Sequence, residues 1–212
     1  KKNSVLTLVM MTLIITLSSF MNAEHQSEES YNIKRAKELI QEKHLKEAVN
    51  YLVAETEQNP KSAIAYDLWS IIKLREGEPG EALSLSDMAI KNYSKKDKKE
   101  LAMAYYHRAG AFLHLEDTTN AINDYLASIK LNETFENALS ELADVYFFTN
   151  KFEDSDKMYK KLSETNRGNA LAYYGMARNA YNQGQYEKAI EYIAYSRKLD
   201  PNSSTPDRLT MR

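Results

Sequence analysis

The feature that most constrains this chain is a repeat with a period of 34 residues. A polar turn, followed by a helix-forming segment that carries one small residue, occurs five times. Consecutive small residues are 34, 39, 34 and 34 positions apart, so one period holds if residues 97–101 are an insertion. A fixed period of this length indicates structural repeats that stack on one another. The small residues are Ala48, Ala82, Ala121, Ser155 and Ala189.

Each repeat contains two segments with helical apolar periodicity on either side of its turn. This pattern predicts a helical hairpin. A second small position, eight residues into each repeat, lets the first helix approach its neighbours closely. We therefore predict an all-α protein. The predicted repeats are residues 29–62, 63–96, 102–135, 136–169 and 170–203, and a short C-terminal tail follows at 204–212.

The composition supports a helical core and excludes several functions. Six glycines and four prolines in 212 residues are few turn formers, and 43% of the residues are hydrophobic. The absence of cysteine excludes disulfides, thiolate metal sites and a cysteine nucleophile. The net charge of −2 gives no indication of nucleic-acid binding. The one basic cluster, residues 91–99, is interpreted as a solvated helix end.

The N-terminus has the three-part pattern of a secretory signal peptide. Lys1 and Lys2 precede an uncharged apolar run at 5–17, and the small residue Ala23 precedes polar sequence. The run is shorter than the roughly 20 residues that span a bilayer, so cleavage is favoured over an uncleaved membrane anchor. We predict a signal peptide at 1–23 and a polar tail at 24–28. The mature protein is then exported, and contacts the membrane only if cleavage fails.

The repeats resemble the tetratricopeptide repeat (TPR) family over residues 29–203. The last repeat, ALAYYGMARNAYNQGQYEKAIEYIAYSRKLDPNS, carries the family pattern in Tyr173, Met176, Ala177, Ala189, Ile193 and Pro201. The third repeat departs from it, because Arg108 stands where an apolar residue is expected. The resemblance implies an α-solenoid, a right-handed superhelix of five TPR-like hairpins with a concave groove lined by the first helices. Exported arrays of this kind resemble periplasmic or cell-envelope proteins of bacteria.

In the TPR family, peptides and protein segments bind along the groove at fixed first-helix positions. The resemblance therefore implies a protein or peptide partner, anchored by aromatic side chains with one solvated face. Packing between helices explains Phe147 and Phe148 equally well. The carboxylates of Asp67 and Asp144 are expected to select basic residues in the ligand. The candidate groove residues are Asp67, Arg75, Tyr106, His114, Asp144, Phe147, Tyr174, Arg178 and Tyr181.

Several motifs typical of catalysis and metal binding are missing from the sequence. Phosphate-binding glycine loops, HExxH and GxSxG are absent. His107 and His114 share a helix face but lie about 10.5 Å apart along the axis, too far for one metal ion. We therefore predict a scaffold that is not an enzyme and has no cofactor, metal or catalytic residue.

Two alternative functions remain open. The repeats are the docking region of a larger enzyme or envelope machine that continues after Arg212, or they form a self-associating structural protein. The second alternative includes a homodimer through the C-terminal repeat. Only a short tail follows that repeat, so we expect Ile190, Ile193 and Tyr195 to be partly uncovered.

Overall fold

The computed structural model describes residues 29–201. The predicted signal peptide at 1–23, the polar tail at 24–28 and the C-terminal tail at 204–212 lie outside the described residues. The described part contains ten helices and no strand, which confirms the all-α helical-repeat prediction. The helices are α1 (Tyr31–Gln41), α2 (Leu45–Gln58), α3 (Ala63–Arg75), α4 (Pro79–Asn92), α5 (Lys98–His114), α6 (Thr118–Leu131), α7 (Glu136–Phe148), α8 (Phe152–Thr165), α9 (Ala170–Asn182) and α10 (Tyr186–Leu199).

The chain divides into two compact units, and the first, which ends at Pro60, contains the hairpin of α1 and α2. Ser30 begins α1 as its N-cap, because its hydroxyl accepts a hydrogen bond from the Asn32 amide at 3.2 Å. The same hydroxyl donates to the carboxylate of Glu55, which is itself buried. Ile33 and Leu52 are among the apolar side chains of this hairpin that are buried.

The second compact unit, from Lys61 onward, contains four hairpins formed by α3 to α10. The two helices of each hairpin pack together, and each second helix packs on the first helix of the next hairpin. First helices also contact one another, α3 with α5 and α7 with α9. The core of this unit includes Tyr125, Leu139, Leu142 and Tyr159.

Both small positions predicted from the repeat are buried, as expected. At the first position, Ala36, Ser70, Ala109, Ala143 and Ala177 are completely buried, and at the second no residue is more than 3% exposed. The Ser155 hydroxyl donates to the Ala143 carbonyl at 2.8 Å, which places the two small positions of one hairpin in direct contact. Larger side chains at either position would push the two helices apart.

The hairpin turns share one backbone conformation at the fifteenth residue of each repeat. This residue has a positive φ of 59 to 79° in every turn, although only two of the five are glycine. Its amide bonds to the carbonyl three residues earlier, and the next amide bonds to the carbonyl five residues back. This is the Schellman arrangement, which satisfies the last carbonyls of the first helix. The five residues are Lys43, Gly77, Glu116, Asn150 and Gly184.

The insertion between the second and third repeats extends a helix. Asp97 is the N-cap residue of α5, and residues 98–101 form its first turn. α5 therefore has 17 residues, whereas α3, α7 and α9 have 13 each. Among residues 29–201, no helix is both long enough and apolar enough to span a bilayer.

Candidate functional site

A pocket of about 250 Å³ lies on the first-helix surface of the second compact unit. We call it the Gly110 pocket. Its apolar wall is formed by Leu74 and Leu113, and its aromatic wall by Tyr106 and Tyr125. Glu141, His107 and His114 provide its polar groups. Of the groove residues predicted from the sequence, Tyr106 and His114 therefore line this pocket.

The pocket is open because position 110 has no side chain. A Cβ atom added to Gly110 would meet only the Leu74 Cδ1 atom, at an ordinary contact distance of 3.7 Å. One period later, the position equivalent to Gly110 is Asp144, and the Tyr159 hydroxyl donates to its carboxylate at 2.8 Å. Tyr125, the equivalent of Tyr159, instead borders the empty space beside Gly110. The absence of a side chain at position 110 thus leaves a cavity where the fourth repeat has the Asp144 side chain.

The aromatic wall is held in place by ring contacts. Tyr106 lies 5.8 Å from Tyr125 and 5.1 Å from Phe135, measured between ring centroids. Its ring is also 5.5 Å from that of His107, in an edge arrangement. Burial raises the pKa of Tyr106, and the negative charge of Glu141 raises it further. Tyr106 is half-buried, so it keeps the partly solvated face expected from the sequence.

Glu141 is the acidic group of the pocket. The residue is exposed overall, yet its carboxyl is partly desolvated by its surroundings. This desolvation raises the pKa of Glu141, and the neighbouring Asp144 carboxylate raises it further. Within the described residues Glu141 forms no hydrogen bond and no ion pair. The pocket therefore contains a carboxylate whose charge is not balanced by a direct partner.

A second cluster gathers three predicted groove residues around a fourth, Arg178. The guanidinium pairs with the Asp144 carboxylate at 3.0 Å. It lies 4.0 Å from the ring centroid of Phe147 and 5.9 Å from that of Tyr174. The charge of Arg178 is thus paired within the cluster. Tyr159 belongs to the same cluster, because its hydroxyl donates a hydrogen bond to Asp144. Asp144 thus pairs with a basic residue of its own chain.

The structure corrects the expectations for two other candidates. Tyr174 is only 8% exposed, so it does not present the solvated face that we expected. Asp67 is 5% exposed, and its carboxylate lies 2.8 Å from Nδ1 of His107, an ion pair or hydrogen bond within the chain. It therefore does not face a ligand as an unpaired acid. The contact between Asp67 and His107 joins two first helices, α3 and α5.

The remaining candidates lie toward the surface. Arg75 and His114 are exposed at the ends of α3 and α5. Tyr181 is half-buried and meets the ring of Tyr186 at 5.5 Å. Phe148, which packs on Phe147 at 5.4 Å, is 75% exposed.

Sequence reasoning missed Tyr125 and Glu141 as parts of the site. Tyr125 belongs to a second helix, and Glu141 lies outside the first-helix positions that the family uses. The available signal was Gly110, which stands one period before the candidate Asp144 and so occupies the equivalent groove position of its repeat. Within residues 29–201, no group of three or more histidine and acidic side chains is arranged to hold a metal ion.

Stacked helical hairpins that recur at a fixed period in the sequence define the class of helical-repeat proteins. Two segments, residues 102–135 and 170–203, match family models described as tetratricopeptide repeat. They coincide with two of the repeats that the period of 34 delimits. These two segments are tetratricopeptide repeats, and the fold of the described residues is that of a tetratricopeptide-repeat solenoid.

Solved structures with the same fold are distant in sequence. YrrB, described as a TPR protein with an unusual peptide-binding site, is 17% identical, with a TM-score of 0.69 over 91% of this chain and 98% of its own. MamA is 17% identical, with a TM-score of 0.70 over 78% of this chain and 94% of its own. A tetratricopeptide repeat protein from Parabacteroides merdae is 22% identical, with a TM-score of 0.67 over 81% of this chain and 66% of its own. No curated protein sequence matches the chain at a significant level.

Proposed function

We propose that this protein is a non-catalytic scaffold that binds a peptide or protein segment on the first-helix surface of its second compact unit. The Gly110 pocket is the observation that carries the proposal. Members of the tetratricopeptide repeat family generally act as interaction scaffolds, and the relative YrrB is described as having a peptide-binding site. The N-terminal sequence at 1–23 supports action after export, in the bacterial cell envelope.

The size of the pocket favours one side chain of a larger partner as its occupant. Sites for small molecules usually enclose about 300 to 1,000 Å³. The Gly110 pocket is smaller than this range and has apolar and aromatic walls. Anchoring residues of bound segments occupy such pockets, and the surrounding contacts exclude water. The rest of the segment would then lie across neighbouring first helices.

Filling the pocket should weaken binding without damaging the fold. We expect Gly110→Leu to lower the affinity for pocket-binding peptides at least about tenfold, because the new side chain occupies the place of the anchor. Gly110→Ala is the matched control. Its Cβ makes only an ordinary contact with Leu74, and alanine stabilises a helix interior by about 1 kcal/mol relative to glycine.

The measurement begins with a random-peptide display library selected on the purified protein. Binding of the enriched peptides to both variants is then measured by fluorescence anisotropy, and circular dichroism verifies that the variants are folded. Peptides that bind the wild type and Gly110→Ala, but not Gly110→Leu, would support the proposal. If no peptide is enriched, or if all enriched peptides bind Gly110→Leu equally well, the proposal is wrong.

The surface of α10 favours self-association as a second candidate function. Ile190 is 68% exposed and Tyr195 is 45% exposed, whereas Ile193 is buried, contrary to our expectation for that residue. Ile190 follows Asp156 by one period, and Asp156 accepts a hydrogen bond at 2.7 Å from Asn179 of the next first helix. The equivalent residue of the fourth repeat thus contacts the following hairpin, whereas Ile190 is exposed.

If a second copy covers this surface, Ile190→Glu should shift the protein to a monomer. A buried glutamate without a counter-charge opposes association, because its desolvation is not compensated. Sedimentation velocity over a hundredfold range of concentration measures the effect. Lys188→Glu, at an exposed position of the same helix, controls for the added negative charge. A wild-type protein that stays monomeric at every concentration would eliminate this candidate.

A further inference from the structure

Two arginines of this chain are held in the same chemical environment, between a carboxylate and an aromatic ring. Arg178 pairs with Asp144 at 3.0 Å, and its guanidinium carbon lies 4.0 Å from the centroid of Phe147. Arg108 donates two hydrogen bonds to Asp124, at 2.6 and 2.8 Å, and lies 5.4 Å from the centroid of Tyr105. This environment suits a guanidinium, which binds carboxylates in its plane and stacks on rings through its face.

The Gly110 pocket has the same two components but contains no partner for its acid. Glu141 supplies the carboxylate, and Tyr106 and Tyr125 supply the rings. The nearby cations are engaged elsewhere, because Arg178 pairs with Asp144 and His107 lies against the Asp67 carboxylate. His114 is exposed and is the remaining basic group that lines the pocket.

Negative charges act on the titratable side chains Tyr106, Tyr125 and Glu141 of the pocket. The Asp144 carboxylate adds to the effect of burial in raising the pKa of Glu141. Burial raises the pKa of both tyrosines, and the charge of Glu141 raises both further. A cation placed between these groups would reverse the unfavourable interactions, and a second anion would increase them.

We propose that the Gly110 pocket binds the side chain of an arginine from the partner segment, paired with the Glu141 carboxylate and stacked on Tyr106 or Tyr125. This inference rests on the proposed function, since it specifies which anchor the bound segment supplies. Lysine carries the same charge, but its ammonium lacks the planar face that both rings can contact. Arginine is therefore the preferred occupant and lysine the weaker one.

The test uses peptides selected from the display library on the purified wild-type protein. We expect a basic residue, mainly arginine, at one conserved place in those peptides. A synthetic peptide of that sequence is compared with versions that carry lysine or citrulline, the neutral isostere of arginine. On the wild type, citrulline should weaken binding at least about tenfold, as loss of a charge-assisted hydrogen-bonded pair does.

Variants of Glu141 test whether the preference for arginine over citrulline arises at this carboxylate. On Glu141→Gln the arginine and citrulline peptides should bind with nearly equal affinity, and Glu141→Arg should select peptides without a basic anchor. Glu164→Gln removes the same charge from an exposed site on α8, and there the preference for arginine should be unchanged. Because the fold places Glu141 in an environment that disfavours its charge, we expect Glu141→Gln to fold normally.

The outcomes separate this inference from the proposed function. If no peptide is enriched on the wild type, the proposed function fails, and the inference fails with it. If peptides bind the wild type and are lost on Gly110→Leu, but tolerate citrulline or ignore Glu141→Gln, the function stands and the arginine assignment is wrong.

Discussion

We expect Arg108→Ala to lower the free energy of unfolding by about 3 kcal/mol. Arg108 of α5 connects its own hairpin to the preceding one. It donates a hydrogen bond to Asp124 of α6, and it pairs with Asp87 of α4 at 2.7 Å. Asp124 is only 6% exposed. Removing the guanidinium would leave this carboxylate buried without a counter-charge, which typically costs about 3 to 5 kcal/mol. We take the lower value, since Arg108 itself is partly exposed.

Urea unfolding followed by circular dichroism measures this loss. The double variant Arg108→Leu/Asp124→Leu removes both charges and places an apolar residue where the family expects one, so it should recover much of the stability. Arg167→Ala, at an exposed position in a turn, should change the unfolding free energy little. If Arg108→Ala is as stable as the wild type, the ion pair contributes nothing to the free energy of unfolding.

The second large effect is expected from Gly175→Ala. A Cβ atom at Gly175 would lie 2.2 to 2.5 Å from three ring atoms of Tyr159, far inside van der Waals contact. Tyr159 is 1% exposed and its hydroxyl is fixed to Asp144, so the ring has no space into which to move. Overpacking costs about 1 to 3 kcal/mol, and contacts this short favour the upper end of that range, so the cost exceeds the gain of about 1 kcal/mol from placing alanine in a helix. We expect a net loss of about 2 kcal/mol.

The cause of the loss can be isolated with a double-mutant cycle. Tyr159→Leu removes the ring that causes the clash, so Gly175→Ala should cost much less in that background than in the wild type. Gly110→Ala is the matched control, because it also places alanine in a first helix but meets only an ordinary contact. Equal effects of Gly175→Ala with and without the Tyr159 ring would exclude the clash as the cause.

The repeat sequence was sufficient to predict the hairpins and the contacts inside them. Small residues such as Ala109 and Ala121 recur at the period of 34, and the structure buries both. This succeeds because the approach of two helices in one hairpin depends on residues close in sequence. The residue of positive φ in each turn was predictable only in part. Glycine favours this conformation at Gly184, whereas nothing in the sequence indicates it at Glu116.

The side-chain partners that define the site were not predictable in the same way. Asp67 and His107 are 40 residues apart, and Arg108 binds acids on two different helices. The period shows which positions face a neighbouring hairpin, but any acid within reach can satisfy a given base. Arg108 therefore read as a departure from the family pattern, although the structure gives it two carboxylate partners.

The two ion-pair networks have a consequence for how a partner would meet the Gly110 pocket. Arg108 links α4, α5 and α6 on one side, and Arg178 with Asp144 and Tyr159 links α7, α8 and α9 on the other. The pocket residues of α5, α6 and α7 lie within these cross-linked hairpins. A ligand would thus find its contacting side chains already ordered. Association would require little loss of conformational entropy from the protein, and most of the ordering cost would fall on the segment that binds.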